Sequence, residues 1–437
     1  MRSLQNNFIL DGVDNNSISE NVQELTTQIA RPSVDSIQEF KVTTAPYSAE
    51  FGRSPGAAVS VTTKCGTNNF HGTVYEFLRN KVFNANPFNF TSSTPPPKPP
   101  NVQNQFGTNL GGPIIKNKAF FFFNYEGTRI RKGKRYVGSV PLPNELAGDF
   151  SAAAGTANGV TYTPLIDRVG DCVGAGNPFP NNQIPARCLD PVAVKVLSLL
   201  PGPNASTVGA KNVNNFVRTP TLHDDTDSYT GKGDWQLNSS NNVFLRYTYS
   251  NRFRFVPGAY GGIVDGTGTS AFGRLSMIAH AAAIGWNSTF SPRLLNEFRL
   301  GWGRNDSVGH QDPFGVNTLA SLGFFGVPDS SLYSGGLPGL SVSGKGGTPT
   351  YGAGSGVDRF GSPDFLPKFQ KTNQFQWTDT ISYVLNKHQV RFGTDLRLPM
   401  RNIFLDVPAL RGSYTFDGNR TGIGLADFLV SLTRACG

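Results

Sequence analysis

The chain has 437 residues, among them 50 glycines, 30 prolines and 33 phenylalanines. This composition favours β-strands joined by many turns. Only 16% of the residues are charged, but no window of about 18 apolar residues lacks a polar interruption, so a helical membrane span is excluded. The mean hydropathy of −0.27 does not exclude a membrane β-barrel, because its strands face lipid with every second residue only.

The formal net charge of +9 is spread along the chain, with its densest basic cluster at 129–135. A basic stripe can indicate a nucleic-acid site. This cluster directly follows the aromatic run 120–125, as expected where a strand leaves a membrane into a charged rim. The rim is the favoured interpretation, and no nucleic-acid partner is expected.

Two of the four cysteines, Cys172 and Cys188, lie inside one long loop. They predict a disulfide in an oxidising cell exterior, with two free thiols as the alternative. Cys65 and Cys436 stand alone. The chain has no Cys-x-x-Cys motif and no cysteine cluster of the metal-binding type, so neither a metal nor a cofactor is expected.

Residues 1–69 carry three short β-like runs, at 8–13, 37–42 and 57–64. They predict a small mixed domain packed from short strands. The chain begins without a basic segment followed by an apolar one, which is the pattern of an export signal. We therefore expect either that the start lies upstream or that the reading frame is truncated.

From about residue 70 onward, segments of alternating apolar and polar residues predict about nine strands. They are 71–79, 105–114, 121–126, 229–236, 243–250, 278–286, 294–302, 374–383 and 390–398. Short polar turns and long loops join them alternately. This rhythm is typical of a transmembrane β-barrel that has one short-turn rim and one long-loop rim.

The two longest predicted loops are 132–226 and 306–370. The first contains one helix-like segment at 191–200, which Gly202 and Pro203 end. The second is rich in glycine, serine and proline and is predicted to be mobile. For any single hairpin, a soluble antiparallel sheet with one wet face is the alternative, but successive pairs with unlike rims favour the membrane barrel.

Catalytic chemistry has no candidate residues in this sequence. The five histidines are scattered and form no His-Glu-x-x-His pair, so the protein is predicted not to be an enzyme. The acidic cluster 223–227 could hold Ca²⁺ through its carboxylates. Its spacing fits no loop motif, and a solvated loop base is the favoured interpretation.

Several motifs resemble TonB-dependent outer-membrane transporters. The segments 10–13, 34–42, 49–52 and 56–64, in that order, resemble the plug domain of this family. The downstream pieces 70–77, 104–107, 111–114 and 120–127 resemble the Oar-like subgroup. The resemblance covers essentially the whole chain.

The resemblance implies a mainly β fold: part of a transmembrane antiparallel β-barrel, about 9 of about 22 expected strands, preceded by the C-terminal part of an α+β plug domain. The plug would be 1–69 and the barrel part 70–437, with extracellular loops at about 132–226 and 306–370. Since an open sheet in lipid leaves unpaired backbone groups at its edges, the chain is expected to be a fragment.

The resemblance also implies energised transport across the outer membrane, powered by a TonB-type complex that acts through a segment upstream of Met1. The ligand would bind the outer loops and the plug, and its identity (a siderophore, an oligosaccharide or another solute) is not encoded in a readable way. The candidate plug residues for gating or folding are Asp11, Gly12, Glu39, Gly52, Arg53 and Gly56. A plug of this family usually has Arg-Gly-Pro where this chain has 43–46.

Two other functional hypotheses fit the same sequence. The first is a surface adhesion or binding protein whose loops contact partners without transport. The second is a non-functional truncated frame.

Overall fold

The computed structural model describes residues 6–18, 28–44, 56–86, 88, 98–151, 162–205, 214–264, 273–324, 327, 335–344, 351–353, 359–361, 366–404 and 411–431. The strands are β1 Asn7–Leu10, β2 Val13–Asp14, β3 Ile37–Thr43, β4 Ala58–Thr63, β5 His71–Asn80, β6 Asn101–Ile115, β7 Ala119–Gly133, β8 Tyr136–Ser139, β9 Ile166–Asp167, β10 Asn177–Pro178, β11 Phe216–Arg218, β12 Thr221–Asn238, β13 Asn241–Phe255, β14 Arg274–Ser291, β15 Leu294–His310, β16 Gly339–Val342, β17 Gly352–Ala353, β18 Lys368–Leu385, β19 His388–Phe404 and β20 Ser413–Phe416. The helices are α1 Pro143–Leu146, α2 Pro191–Ser198, α3 Thr318–Leu322 and α4 Gly424–Ser431. Among the described residues, no helix has the length and apolar character needed to cross a membrane.

The largest element is a nine-stranded sheet, here called the wall, with the strand order β19-β18-β15-β14-β13-β12-β7-β6-β5. Each neighbouring pair of its strands is antiparallel. The strands predicted from alternation all lie in this sheet. Within the described part of the chain, the outer strands β5 and β19 do not pair with each other, so the wall is an open sheet.

Short turns and long connections alternate along the wall, as the sequence predicts. The turns are 116–118, 239–240, 292–293 and 386–387. Asn117 and Asn386 adopt φ values of 61° and 51°, a region that asparagine tolerates better than most residues. The connections on the opposite rim are 81–100, 134–220, 256–273 and 311–367.

The acidic cluster 223–227 is part of a strand, and its prediction as a solvated loop base is wrong. β12 begins at Thr221, and its carboxylates pair with arginines of the neighbouring strands. Arg131 Nη1 lies 2.5 Å from Asp225 Oδ1, and Arg129 Nη2 lies 2.8 Å from Asp227 Oδ1. Opposite charges facing each other across two strands stabilise the ladder, so the strand extends further than its apolar pattern does.

The two faces of the wall differ in composition. In β14, Leu275, Met277, Ala279, Ala281 and Ala283 are buried, whereas Ile278 and Ile284 point outward and are exposed. The outward face also carries a continuous row of rings, in which neighbouring ring centroids lie 4.9–6.2 Å apart: Phe106, Tyr125, Tyr229, Tyr249, His280 and Trp302. Such a row of aromatic rings is typical of a membrane interface.

The long connections fold together into one unit, here called the cap, made from the described residues of 134–220, 256–264, 311–361 and 411–431. It contains a three-stranded sheet, β11-β8-β17, and the parallel pair β16-β20. The mobility predicted for 306–370 is wrong for its described residues, because Leu337, Leu340, Val342, Tyr351 and Phe360 are completely buried in the cap core. Local composition does not reveal this core, since its members come from connections far apart in the chain.

A second, smaller sheet precedes the wall. It has four strands in the order β2-β1-β4-β3, here called the N-terminal sheet, and β1 pairs with β4 in parallel. It lies against the inner face of the wall, where β2 contacts β15 and β18. The predicted runs 37–42 and 57–64 are strands β3 and β4, whereas a turn at 11–12 divides the run 8–13 between β1 and β2.

Candidate interface between the N-terminal sheet and the wall

The contact between the two sheets is built around a tight turn. Asp11 and Gly12 join β1 to β2 with φ values of 51° and 82°. Two successive residues with positive φ form a type I′ turn, for which Asp-Gly is a preferred sequence. The turn presents the Asp11 carboxylate to Thr63 at the end of β4, whose backbone N–H and hydroxyl each donate to it over 2.9 Å.

The same carboxylate is paired with two cations of the wall. Arg246 Nε lies 2.8 Å from Asp11 Oδ2, and Lys232 Nζ lies 3.6 Å from Asp11 Oδ1. Lys232 also donates to the Thr63 carbonyl over 3.0 Å. All three charged side chains are buried, so each depends on the others for compensation of its lost hydration.

A second charged contact lies at the end of β2. Arg397 Nη1 of β19 lies 2.7 Å from Asp14 Oδ2, and it is also paired with Asp395 on its own strand. The Asp14 backbone N–H donates to Gln376 Oε1 of β18 over 2.7 Å. This contact continues the polar character of the interface toward the edge of the wall.

Small wall residues allow the N-terminal sheet to approach closely. A Cβ atom at Gly301 of β15 would lie 2.1 Å from Val13 Cγ1, and one at Gly303 would lie 2.4 Å from Ile29 Cδ1. Val13 also packs with Phe244 and Ala283 in a small apolar cluster. Glycine at both positions therefore determines how closely the two sheets meet.

A cavity of about 690 Å³ lies beside this contact, between the N-terminal sheet and β15, β18 and β19. Its lining is mostly polar: Asn7, Ser60, Gln376, Thr378, Thr380 and Thr394, together with the charged residues Asp14, Glu297, Arg299, Arg391, Asp395 and Arg397. The charges occur as opposite pairs. Arg391 lies 3.5 Å and Arg299 lies 3.8 Å from Glu297.

The predicted site residues have different positions. Asp11 and Gly12 are at the centre of the contact, and a Cβ at Gly12 would lie 3.1 Å from Arg299 Nε. Gly56 is buried just before β4, whereas Glu39 is exposed on β3. Gly52 and Arg53 lie outside the described residues.

Sequence reasoning missed the wall residues Lys232, Arg246, Arg299 and Arg397. The alternation identifies them as opposite to an apolar face, which is a usable signal. It does not show which of the two faces of the wall meets the N-terminal sheet, because the residues of either face recur with the same two-residue period.

The cap contains buried polar clusters of its own. The Glu145 carboxylate accepts hydrogen bonds from the hydroxyls of Tyr162 and Tyr351, each over 2.8 Å. Burial, with the nearby Glu145 charge, raises the pKa of both tyrosines. This cluster joins α1 to two other parts of the cap.

Asp167 organises the loop that contains the disulfide. Although burial opposes it, hydrogen bonds from the backbone N–H groups of Val173, Cys172, Gly170 and Gly174 lower the pKa of Asp167. Cys172 and Cys188 are joined by a disulfide with a Cα–Cα distance of 5.6 Å. The predicted pair is thus bridged in the structure, at a distance ordinary for disulfides.

Residues 62–435 match a family model described as an outer membrane beta barrel domain. The chain belongs to this family. This outer membrane β-barrel protein is also 31% identical over 132 residues to the TonB-dependent transporter Oar of Myxococcus xanthus, covering 28% of the chain and 11% of Oar. That similarity agrees with the resemblance indicated by the sequence motifs. The family and the similarity to Oar show that the protein is located in the outer membrane.

A solved outer membrane transporter and a solved ferric enterobactin receptor are similar to this outer membrane β-barrel protein over most of its length. The outer membrane transporter YddB from Escherichia coli is 11% identical with a TM-score of 0.49, covering 90% of this chain and 40% of YddB. A mutant of the ferric enterobactin receptor PfeA from Pseudomonas aeruginosa is 11% identical with a TM-score of 0.42, covering 90% of this chain and 41% of PfeA. The chain therefore spans well under half the length of these proteins.

Proposed function

We propose that this chain is part of a TonB-dependent transporter that moves a ligand across the outer membrane by energised transport. In this proposal, residues 1–69 are the C-terminal part of the plug and residues 70–437 are the N-terminal part of the barrel. A ligand binds at the cap and the plug, and a TonB-type complex supplies the force. The similarity to Oar supports this family of functions.

The observation that carries the proposal is the polar contact between the N-terminal sheet and the wall. Its shortest charged contacts are the ion pairs of Asp11 with Arg246 and of Asp14 with Arg397. A buried ion pair contributes little net stability, because its two charges regain their hydration when they separate. The stabilisation from buried apolar surface, in contrast, is lost when the two surfaces separate. A plug held in this way can leave the wall at lower cost than one held by a large apolar core.

The apolar part of the contact is correspondingly small. One cluster joins Leu10, Ile29 and Ala30 to Ala281, and the other joins Val13 to Phe244 and Ala283. These clusters fix the position of the N-terminal sheet. They leave polar groups over much of the remaining contact, where water can replace each partner.

Movement of the plug can be tested through Asn124, a buried residue on the inner face of β7. Its side-chain oxygen accepts a hydrogen bond from the Ser33 hydroxyl over 2.7 Å. In protein with Cys65→Ser and Cys436→Ser, an Asn124→Cys thiol should react about tenfold faster or more with an impermeant reagent when the TonB-type complex is energised, because local opening limits access to buried sites. The outward neighbour Phe123→Cys is the matched control and should not respond.

Equal reactivity of Asn124→Cys with and without the energised complex would contradict transport. That outcome would favour a surface adhesion or binding protein whose cap contacts partners. Cells that lack the transducer provide the reference, and the disulfide of the cap stays oxidised throughout.

A further inference from the structure

We infer that the solute passes along the inner face of β18 as it crosses the membrane. We also infer that this solute is neutral and rich in hydrogen-bonding groups, such as an oligosaccharide. This inference rests on the proposed function. It names a route and a chemical class for the same transporter.

The first observation is the composition of the inner face of β18. Gln376 faces the N-terminal sheet, because its side chain accepts from the Asp14 backbone. By the two-residue period of a strand, the other inward positions of β18 lie at even numbers. From 370 to 382 these positions are, without interruption, Gln370, Thr372, Gln374, Gln376, Thr378, Thr380 and Ser382.

This uniform neutral polarity distinguishes β18 from β13, β14 and β15 of the wall. The inner face of β13 includes Phe244 and Arg246, and that of β14 is apolar through Leu275, Met277 and Ala279. On β15 the inner positions include Glu297 and Arg299. The seven inward positions of β18 from 370 to 382 are here called the β18 ladder. At about 3.3 Å per residue, the β18 ladder extends roughly 40 Å along the strand, enough to cross the membrane.

The second observation is that part of the ladder already borders an open space. Gln376, Thr378 and Thr380 line the cavity of about 690 Å³ beside the N-terminal sheet. Pockets for drug-like ligands are mainly apolar, whereas this lining consists of amides, hydroxyls and opposite charge pairs. The cavity is therefore suited to water or to a hydrophilic solute.

The third observation concerns the other half of the ladder. Gln370 and Gln374 are only 1% and 4% exposed. Among the described residues, no group makes a hydrogen bond with either the oxygen or the nitrogen of these two side-chain amides. The Oδ1 atom of Asn305, on the neighbouring strand β15, also has no hydrogen-bond partner there.

Buried amides without partners carry unused hydrogen-bonding capacity. Each glutamine has two N–H donors and an oxygen with two acceptor positions. Gln374 pairs with Gly303 of β15, which lies against Ile29, so the Gln374 amide gains partners when the N-terminal part of the chain withdraws and water or a solute enters. Hydroxyl groups of a solute can bond both to the N–H groups and to the oxygen of a glutamine amide, since a hydroxyl both donates and accepts.

The charges determine the class of solute. An anionic chelate would be bound best by arginine or lysine side chains that are not already neutralised. In the cavity, Arg391 and Arg299 share Glu297, and Arg397 is paired with Asp14 and Asp395, so that three arginines face three carboxylates. The ladder itself carries no charge between 370 and 382, so its chemistry fits a neutral solute.

The test uses single cysteines in the complete transporter, with Cys65→Ser and Cys436→Ser. Thr378→Cys reports the cavity, Gln374→Cys reports the closed half of the ladder, and Thr372→Cys replaces Gln374→Cys should that variant fail to assemble. Phe375→Cys is the matched control on the outward face. Neutral, cationic and anionic methanethiosulfonate reagents of similar size are the probes.

We expect Thr378→Cys to react with and without energisation, and with all three reagents at rates within about threefold, because the charges of the described cavity lining balance one another. Gln374→Cys should react about tenfold faster or more on energisation, as local opening exposes it. Phe375→Cys should show no response. These results together would support both the route and the solute class.

Two results would overturn the inference while leaving transport intact. The first is a response of Asn124→Cys to energisation without a response at Gln374→Cys or Thr372→Cys, which would place the route elsewhere on the wall. The second is a reaction of Thr378→Cys with the anionic reagent about tenfold faster than with the neutral one, as charge focusing produces. If neither Asn124→Cys nor Gln374→Cys responds, the proposed function itself fails.

Discussion

Arg246 Nε of the wall lies 2.8 Å from Asp11 Oδ2 of the N-terminal sheet, and each side chain is only 2% exposed. Asp11 stands in the turn between β1 and β2, whereas Arg246 stands on the inner face of β13. This ion pair therefore ties the two sheets together at a point where neither charge has access to water. Lys232 adds a second cation near the same carboxylate.

Replacement of Asp11 by asparagine should destabilise the docked N-terminal sheet by about 3–5 kcal/mol, because Arg246 and Lys232 remain buried without their counter-charge. The measurement is the urea concentration at which limited proteolysis cleaves residues 1–69. Adding Arg246→Met to Asp11→Asn should recover part of the loss. Glu39→Gln, at an exposed position on β3, is the control and should change the free energy by less than about 0.5 kcal/mol.

Gly301→Ala should weaken the contact between the sheets by about 1–3 kcal/mol, because the new Cβ would overlap the Val13 side chain. The clash is specific, with a distance of 2.1 Å to Val13 Cγ1. Combining Gly301→Ala with Val13→Ala should therefore cost less than the sum of the two single changes in a double-mutant cycle. Strict additivity would show that Val13 and Gly301 do not meet.

A matched control for Gly301 exists on the opposite face of the wall. Gly231 of β12 has no atom within 4 Å of the position that a Cβ would take. Gly231→Ala should therefore leave the contact between the N-terminal sheet and the wall unchanged. Thermal unfolding and proteolysis of both variants would show the contrast.

Asp167→Asn should destabilise the cap and reduce the dependence of cap stability on acid pH. The pKa of Asp167 is lowered in the folded cap, so its carboxylate contributes stability above its unfolded pKa of about 3.9. This contribution is lost as the pH falls through the lower folded value. Unfolding of the cap measured between neutral and strongly acidic pH should show a flatter acid limb for the variant.

Asp171→Asn is the comparison for Asp167→Asn, because Asp171 forms a more exposed ion pair with Arg420. Loss of such a surface pair should cost no more than about 1 kcal/mol. An equal effect of the two substitutions would contradict the importance of the backbone hydrogen bonds to Asp167.

Removal of the disulfide by Cys172→Ala and Cys188→Ala should destabilise the cap by about 3 kcal/mol, as expected for a closed loop of about 15 residues. The two cysteines are 16 positions apart. Mass spectrometry of non-reduced peptides should find them linked. Alkylation of both thiols in unreduced protein would contradict the bridge.

Much of the wall could be predicted from the sequence, because a strand leaves a local two-residue period and its turns contain characteristic residues. Asn117 and Asn386 mark two of these turns, and β18 and β19 follow their alternation closely. The run 8–13 was interpreted as one strand-like segment, although its Asp-Gly pair at 11–12 favours a type I′ turn. The strand start at Thr221 was missed, because its stability comes from cross-strand ion pairs rather than from an apolar face.

The alternation, the turns, the two unlike rims and the family motif can be predicted from the amino-acid sequence, since each of these is a property of neighbouring residues. The folded chain is needed to show which face of the wall meets the N-terminal sheet, that Asp11 is paired with Arg246, and that distant connections share one cap core. These features depend on burial, and burial depends on which segments come together in space. A local period records that a strand has two faces but not what each of them contacts.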